Sequence, residues 1–242
     1  MKVFHGFTSI VDKPLANIGR NHLDFGKGFY LTTLENQAIS WASRPLNQGK
    51  QKYLNIYEPD FSAVVNEGYK YLHFNEYNAE WLNFVISNRK GGSDWRQFDI
   101  VEGGIANDRI FNTIELYSSG LISENEALQR LIYEKPNNQI CILNQDIIDN
   151  HLTFVETREN KGGSTMNGNP LINETLLQMK YARVISLLAK KLAVPEDKAM
   201  AIFYNSKTYS NLNDLRNGLQ NMSDAFLVDE IIQESSASWH KA

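Results

Sequence analysis

Hydrophobic and polar residues alternate along several short stretches of the chain, and between those stretches apolar residues recur at helical spacing. Residues 2–7 (KVFHGF), 28–32 (GFYLT) and 52–58 (KYLNIYE) read as strands. So do 98–104 (FDIVEGG), 139–144 (QICILN) and 151–157 (HLTFVET), the last two flanking a short helical connection. Leu34, Ala38 and Trp41 share one helical face, which predicts a helix from Leu34 to Ala42 capped by Thr33. Trp81, Phe84 and Val85 do the same for 77–90, with Gly91 and Gly92 as the stop. Further helices are expected at 109–117 and 123–132, the second opened by Ser123 and Glu126 at capping-box spacing.

The texture changes at 157–170 (TRENKGGSTMNGNP), a polar stretch rich in Gly and Asn that reads as a linker. Beyond it the pattern is helical. Leu176, Met179, Val184, Leu188 and Leu192 form a broad apolar face over 172–193. Pro195 stands where a helix-starting proline would, and Ser223 caps a last helix carrying Phe226, Leu227, Ile231 and Ile232. The fold class is therefore α+β over 1–157, with a linker over 158–171 and a small all-α domain over 172–242. The same pattern also allows a helical tail folded back on the main core.

With 42% apolar and 21% charged residues, the chain reads as an ordinary globular protein. A formal charge of -4 gives no bulk attraction to a phosphate backbone. The one cysteine, Cys141, excludes an internal disulfide framework and a thiolate zinc cluster. No run is long and apolar enough to span a membrane, and the first ten residues are too short and polar for a signal peptide. A cytoplasmic protein with no membrane partner is expected. The histidines are scattered, so no metal site is expected. Gly26-Lys27-Gly28 is followed by Phe29 rather than Ser or Thr, which excludes a Walker loop. From pattern alone, His5 is a half-buried strand residue and Tyr30 a core aromatic.

Longer pieces change that weighting. "FHGF" at 4–7, "LDFGKGFYLT" at 23–32, "QAISWA" at 37–42, "FDIVEGGIANDRIFNTIELY" at 98–117 and "EKPNNQICILN" at 134–144 follow one another in order. Together they make the first 157 residues resemble an uncharacterised bacterial branch of the ADP-ribosyltransferase superfamily. The resemblance implies split antiparallel sheets around an NAD cleft. It also implies cleavage of the nicotinamide–ribose bond of NAD, the co-substrate, with ADP-ribose passed to an acceptor. His5 matches the histidine that holds the adenosine ribose. Gly6 matches the position whose backbone clamps the nicotinamide amide, its missing side chain letting the ligand approach, and Phe7 lies beside it. Tyr30 matches the residue that stacks on the nicotinamide ring. Phe29 should then point into the core.

The third signature position departs from the pattern. Gln139 stands where the resemblance places a catalytic glutamate. A glutamine can hydrogen-bond a ribose, but it carries no charge to balance a developing cation. An NAD- or ADP-ribose-binding module without transfer, or an NAD glycohydrolase, are the alternatives. A strand-edge amide serving a neighbouring loop is the plainer reading of Gln139.

Asp24 and Lys27, on the approach to Tyr30, are candidates for covering NAD or plain turn formers; Arg20 and His22, in the same loop, are weaker ones. Asn107, Asp108 and Arg109 follow a glycine pair. Arg109 suits a diphosphate and Asp108 a helix cap, and a capped helix with Arg109 in solvent is the plainer alternative. The acceptor, whether protein, nucleic acid or small molecule, is not legible in the loop at 133–139. "MKYARVISLLAKKLAVPEDKAMAIFYNSKTYSNL" (179–212) and "MSDAFLVDEI" (222–231) are similar to a small uncharacterised bacterial helical domain. That resemblance implies no catalytic role. It allows docking, target recruitment or restraint of a partner, and a toxin–antitoxin link.

Overall fold

A computed structural model describes residues 1–106, 110–132, 134, 137–160 and 173–239, with side chains through 235. Asn107, Asp108 and Arg109, together with most of the expected linker, lie outside the described residues.

Among the described residues seven strands form two sheets. The first, in the order β1-β3-β7, comprises β1 (Val3–Phe7), β3 (Tyr53–Pro59) and β7 (Leu152–Glu159). The second, in the order β2-β6-β5-β4, comprises β2 (Phe29–Leu31), β6 (Gln139–Ile142), β5 (Ile100–Gly103) and β4 (Tyr71–His73). Every pairing is antiparallel except that of β4 with β5. β6 lies between two neighbours and is buried on both faces, which explains why QICI runs apolar where an exposed strand would alternate. β7 continues to Glu159, two residues past the boundary expected from the sequence.

The inner faces of the two sheets enclose one core. Val3, Phe29, Leu31, Tyr57, Ile140 and Ile142 meet there. Phe29 points inward, as alternation along β2 requires. This core is closed by Ile147 and Ile148 of α6 (Gln145–His151) and Val64 of α2 (Phe61–Asn66). Outside the first sheet, α1 (Glu35–Ala42) places Ala38 against Phe4, Leu54 and Ile56. Outside the second, α3 (Ala79–Arg89) packs Trp81, Leu82 and Val85 with Val101 and Cys141. Ile114 of α4 (Phe111–Ser118) and Leu131 of α5 (Glu124–Leu131) complete that layer.

The caps are local. Asn78 opens α3 by accepting from Trp81 N–H at 2.9 Å, and Ser123 opens α5 by accepting from Glu126 N–H at 3.2 Å. Thr33 does not cap α1. The cap position is Leu34, whose N–H donates to Thr32 Oγ1 at 3.1 Å, so the hydroxyl one residue earlier makes the turn.

Among the described residues beyond β7 come the helices α7 (Glu174–Leu192), α8 (Glu196–Tyr204), α9 (Lys207–Asn213) and α10 (Asp224–Trp239). Pro195 and Ser223 occupy the expected starts, with Ser223 Oγ accepting from Phe226 N–H at 3.1 Å. Their core joins Tyr181, Val184, Leu188, Phe203 and Leu227 to Phe111 of α4, so the helical region is docked on the first through a shared apolar surface. Beside Phe111, Lys180 (1% exposed) and Arg183 grip Glu115 (4% exposed) and Asp224. Lys180 Nζ stands 2.9 Å from Glu115 and 3.1 Å from Asp224. Burial alone would raise the Asp224 carboxyl, but Lys180 and Arg183 outweigh it and hold the group below its ordinary value.

Candidate functional site

The two sheets touch along β1 and β2 at one bridge. Phe4 N–H donates to Thr32 O at 2.8 Å and Thr32 N–H to Phe4 O at 3.0 Å. Extended by two residues, that antiparallel register would set Gly6 opposite Tyr30. The ladder stops instead, and His5 Nδ1 meets the Tyr30 carbonyl at 2.8 Å. A carbonyl only accepts, so Nδ1 carries the hydrogen and Nε2 keeps a lone pair. Burial lowers the His5 pKa, partly offset by this bond, so the ring is neutral near pH 7. Asn55, fully buried on β3, ties the same corner: its Nδ2 donates to His5 O, and its Oδ1 accepts from Val11 N–H at 2.9 Å and Thr157 Oγ1 at 2.8 Å.

Backbone groups alternate in direction along a strand edge. Phe4 turns its N–H and C=O toward β2, and alternation points those of Gly6 to the same side of β1. The absence of a side chain at Gly6 has a separate cause. A Cβ there would stand 1.7 Å from Ala38 O, so the glycine is what lets α1 lie on β1. Phe7, at the end of β1, is exposed, with its ring 5.7 Å from that of His5.

Tyr30 lies across from Cys141 and is half-buried against the α3 side of the second sheet. Its hydroxyl donates to Gly26 O at 2.6 Å and accepts from Phe25 N–H at 3.3 Å, which fixes the ring. Gly26 has a φ of 89°, and a Cβ there would stand 2.3 Å from Trp95, so only glycine makes this turn. Burial pushes the Tyr30 phenol well up, and it pushes the Cys141 thiol up too, which leaves the cysteine an inert core group.

Gln139 begins β6 opposite Gly103 and is buried on the same face of the sheet as Tyr30, two positions from Cys141. The segment before it is pinned by a residue that sequence reasoning placed only in the acceptor loop. Asn138 accepts from Thr33 N–H at 2.9 Å, donates to Glu102 at 2.6 Å, and its carbonyl accepts from Gln37 at 2.8 Å. The "NNQ" run was its only signal. Glu102 itself faces the opposite side of the sheet from Gln139 and is also bonded by Tyr71.

The remaining expectations separate. The Asp24 carboxylate turns inward to Arg89 Nε at 2.7 Å, which commits it to an ion pair. Lys27 lines a polar pocket of about 210 Å³ against α10, together with Arg20, Asp229 and Glu230. Arg20 pairs with Glu230 at 3.0 Å and His22 with Asp229 at 3.5 Å, so both face the helical region. His5 meets Tyr30 at the seam with Gly6 next to it on β1, and Gln139 shares the Tyr30 face of the second sheet. Asp24 is close enough for its charge to act on Tyr30, and Lys27 turns toward α10. Asn107 and Arg109 fall outside the described residues. Among the described residues no group of His, Cys, Asp and Glu could hold a metal ion, and no helix is long and apolar enough to cross a membrane.

A family model described as "Protein of unknown function (DUF3990)" matches residues 1–154. The chain belongs to that family. The DUF3990 match takes in both sheets and ends inside β7, so it contains the seam and leaves the four C-terminal helices outside. No curated protein and no solved structure matches the chain.

Proposed function

We propose that the seam between β1 and β2 is an NAD donor site. There the chain cleaves the nicotinamide–ribose bond and passes ADP-ribose to an acceptor. The observation that carries this reading is the broken ladder: the pairing stops after Phe4 and Thr32, and alternation turns the Gly6 N–H and C=O toward the side where Tyr30 would have paired. A carboxamide, with one donor side and one acceptor side, is the complement of that edge. Tyr30 supplies a fixed aromatic surface beside it. His5 keeps the lone pair of a neutral Nε2, an acceptor for a ribose hydroxyl. Gln139 hydrogen-bonds the second ribose without charge, so it orients more than it stabilises.

The absence of charge at Gln139 also supports a second reading, a module that binds NAD or ADP-ribose without transfer. Water as acceptor would make the chain a glycohydrolase. The helical region, docked through Phe111 and Glu115, serves in either case to restrain the loop leading to Tyr30 or to recruit a protein partner.

Calorimetric titration with NAD tests the donor site. Wild type should bind, and Tyr30→Ala should lose most of the affinity. No heat at millimolar NAD from folded wild-type protein would remove the proposal.

A further inference from the structure

A cavity of about 400 Å³ lies on the other side of the Asp24–Arg89 pair, between α3, α4, α7 and the start of α10. It is remote in role from the seam: none of His5, Gly6, Tyr30 or Gln139 lines it. Its size is that of a pocket for a small organic molecule.

The charges on its wall are unequal. Arg89, Lys90, Lys180, Arg183 and Lys191 line it, against the carboxylates of Glu115 and Asp224. Lys180 and Arg183 close on those two carboxylates and are spent. Lys191 is held from outside by Asp229 at 2.7 Å. The other two cations are not used up. Arg89, 9% exposed, donates only its Nε to Asp24, and no described residue takes its two terminal amino groups. The Lys90 ammonium has no partner among the described residues. Four of the five N–H donors of the Arg89 guanidinium therefore have no acceptor among the described residues, and they are open to an anion in the cavity. Ile86, Ile114 and Leu187 give the wall an apolar part, beside the polar groups of His22, Ser118 and Ser223.

We propose that this cavity is a second ligand site, for a small organic phosphate. The phosphate lies on the open fork of Arg89 and the Lys90 ammonium, where planar paired donors match its oxygens. The organic body lies against Ile86, Ile114 and Leu187. The site is built from both regions of the chain, since α3 supplies the open cations and Ile86, α4 supplies Ile114 and α7 supplies Leu187, so it is a place where a small molecule bridges the two.

Phenyl phosphate, titrated into the full chain and followed by calorimetry, is a suitable probe because it has both parts and little else. Wild type should bind it saturably and more tightly than it binds phenol or inorganic phosphate. Lys90→Glu, an exposed substitution with no structural partner to lose, should weaken binding at least about tenfold, as expected for a lost charge-assisted contact. Leu187→Trp, which fills the cavity and leaves both cations in place, should weaken it as well. Absence of binding at about 10 mM probe, or equal affinity in wild type and both variants, would overturn the proposal. So would binding that is lost in Tyr30→Ala and kept in the two cavity variants, because the probe would then occupy the seam.

Discussion

His5 takes the place of a backbone hydrogen bond at Tyr30. Where β1 and β2 would continue their ladder, the imidazole reaches the Tyr30 carbonyl at 2.8 Å, and the pairing of Gly6 with Tyr30 does not form. One side chain thus closes the polar account of one strand and opens an edge on the other.

Replacing His5 by alanine should strand the Tyr30 carbonyl and remove the Nε2 acceptor. Loss of a buried hydrogen bond costs about 1–3 kcal/mol, so chemical denaturation should show a fall of that size. Affinity for NAD should fall as well. A variant with unchanged stability would mean that the bond contributes nothing to the seam.

Acid should act through the same residue. The His5 pKa lies below the ordinary histidine value of 6.5 because burial disfavours its charged form. The unfolded chain therefore takes up a proton first as pH falls, and the stability tied to neutral His5 is complete above 6.5 and declines below it. NAD affinity should be level above that pH and weaken below it, and the dependence should vanish in His5→Gln. A persistent acid loss in that variant would assign it to another group.

Gly6→Ala should be severe for a reason unrelated to any ligand. Its Cβ would meet Ala38 O, a backbone atom that moves only with α1. Overpacking of this kind costs about 3 kcal/mol or more when backbone must yield. A urea midpoint close to that of wild type would contradict the packing of α1 on β1.

Cutting the chain after β7 should not be harmless. Phe111 and Glu115 are buried by helices beyond Glu174, and Glu115 there meets Lys180 and Arg183. Glu115→Ala, which leaves the buried Lys180 with one carboxylate to share, should cost about 3 kcal/mol. A fragment ending near Gly163 should bind hydrophobic dyes through the uncovered Phe111 surface. A fragment as stable as the full chain, and silent to such dyes, would show the docking to be incidental.

Six of the seven strands among the described residues were legible because each carries its own apolar pattern, and Phe29 was placed inside by alternation from the resemblance at Tyr30. α2, β4 and α9 were missed because elements of six, three and seven residues are too short to show a period. The docking was illegible for a different reason. Phe111 and Glu115 look like ordinary positions on an amphipathic helix, and nothing local distinguishes a residue buried by its own layer from one buried by a helix 65 residues away. Asp24 shows the same limit. An acidic residue near a glycine turn reads as a site residue until Arg89, 65 positions on, is seen to hold it. The seam itself was legible only through the resemblance, since a ladder that stops after one bridge leaves no mark on spacing.

The central claim is that the seam cleaves NAD, and nicotinamide release tests it most directly. Wild-type protein and Gln139→Glu should be incubated with NAD, with and without cell lysate, and followed for free nicotinamide and for labelled macromolecules. Slow release is expected from wild type. Release at least about tenfold faster is expected from Gln139→Glu, because a carboxylate beside the developing cation supplies the stabilisation that the amide lacks. Tyr30→Ala should release none. Folded wild type and Gln139→Glu that both release no nicotinamide would contradict the account.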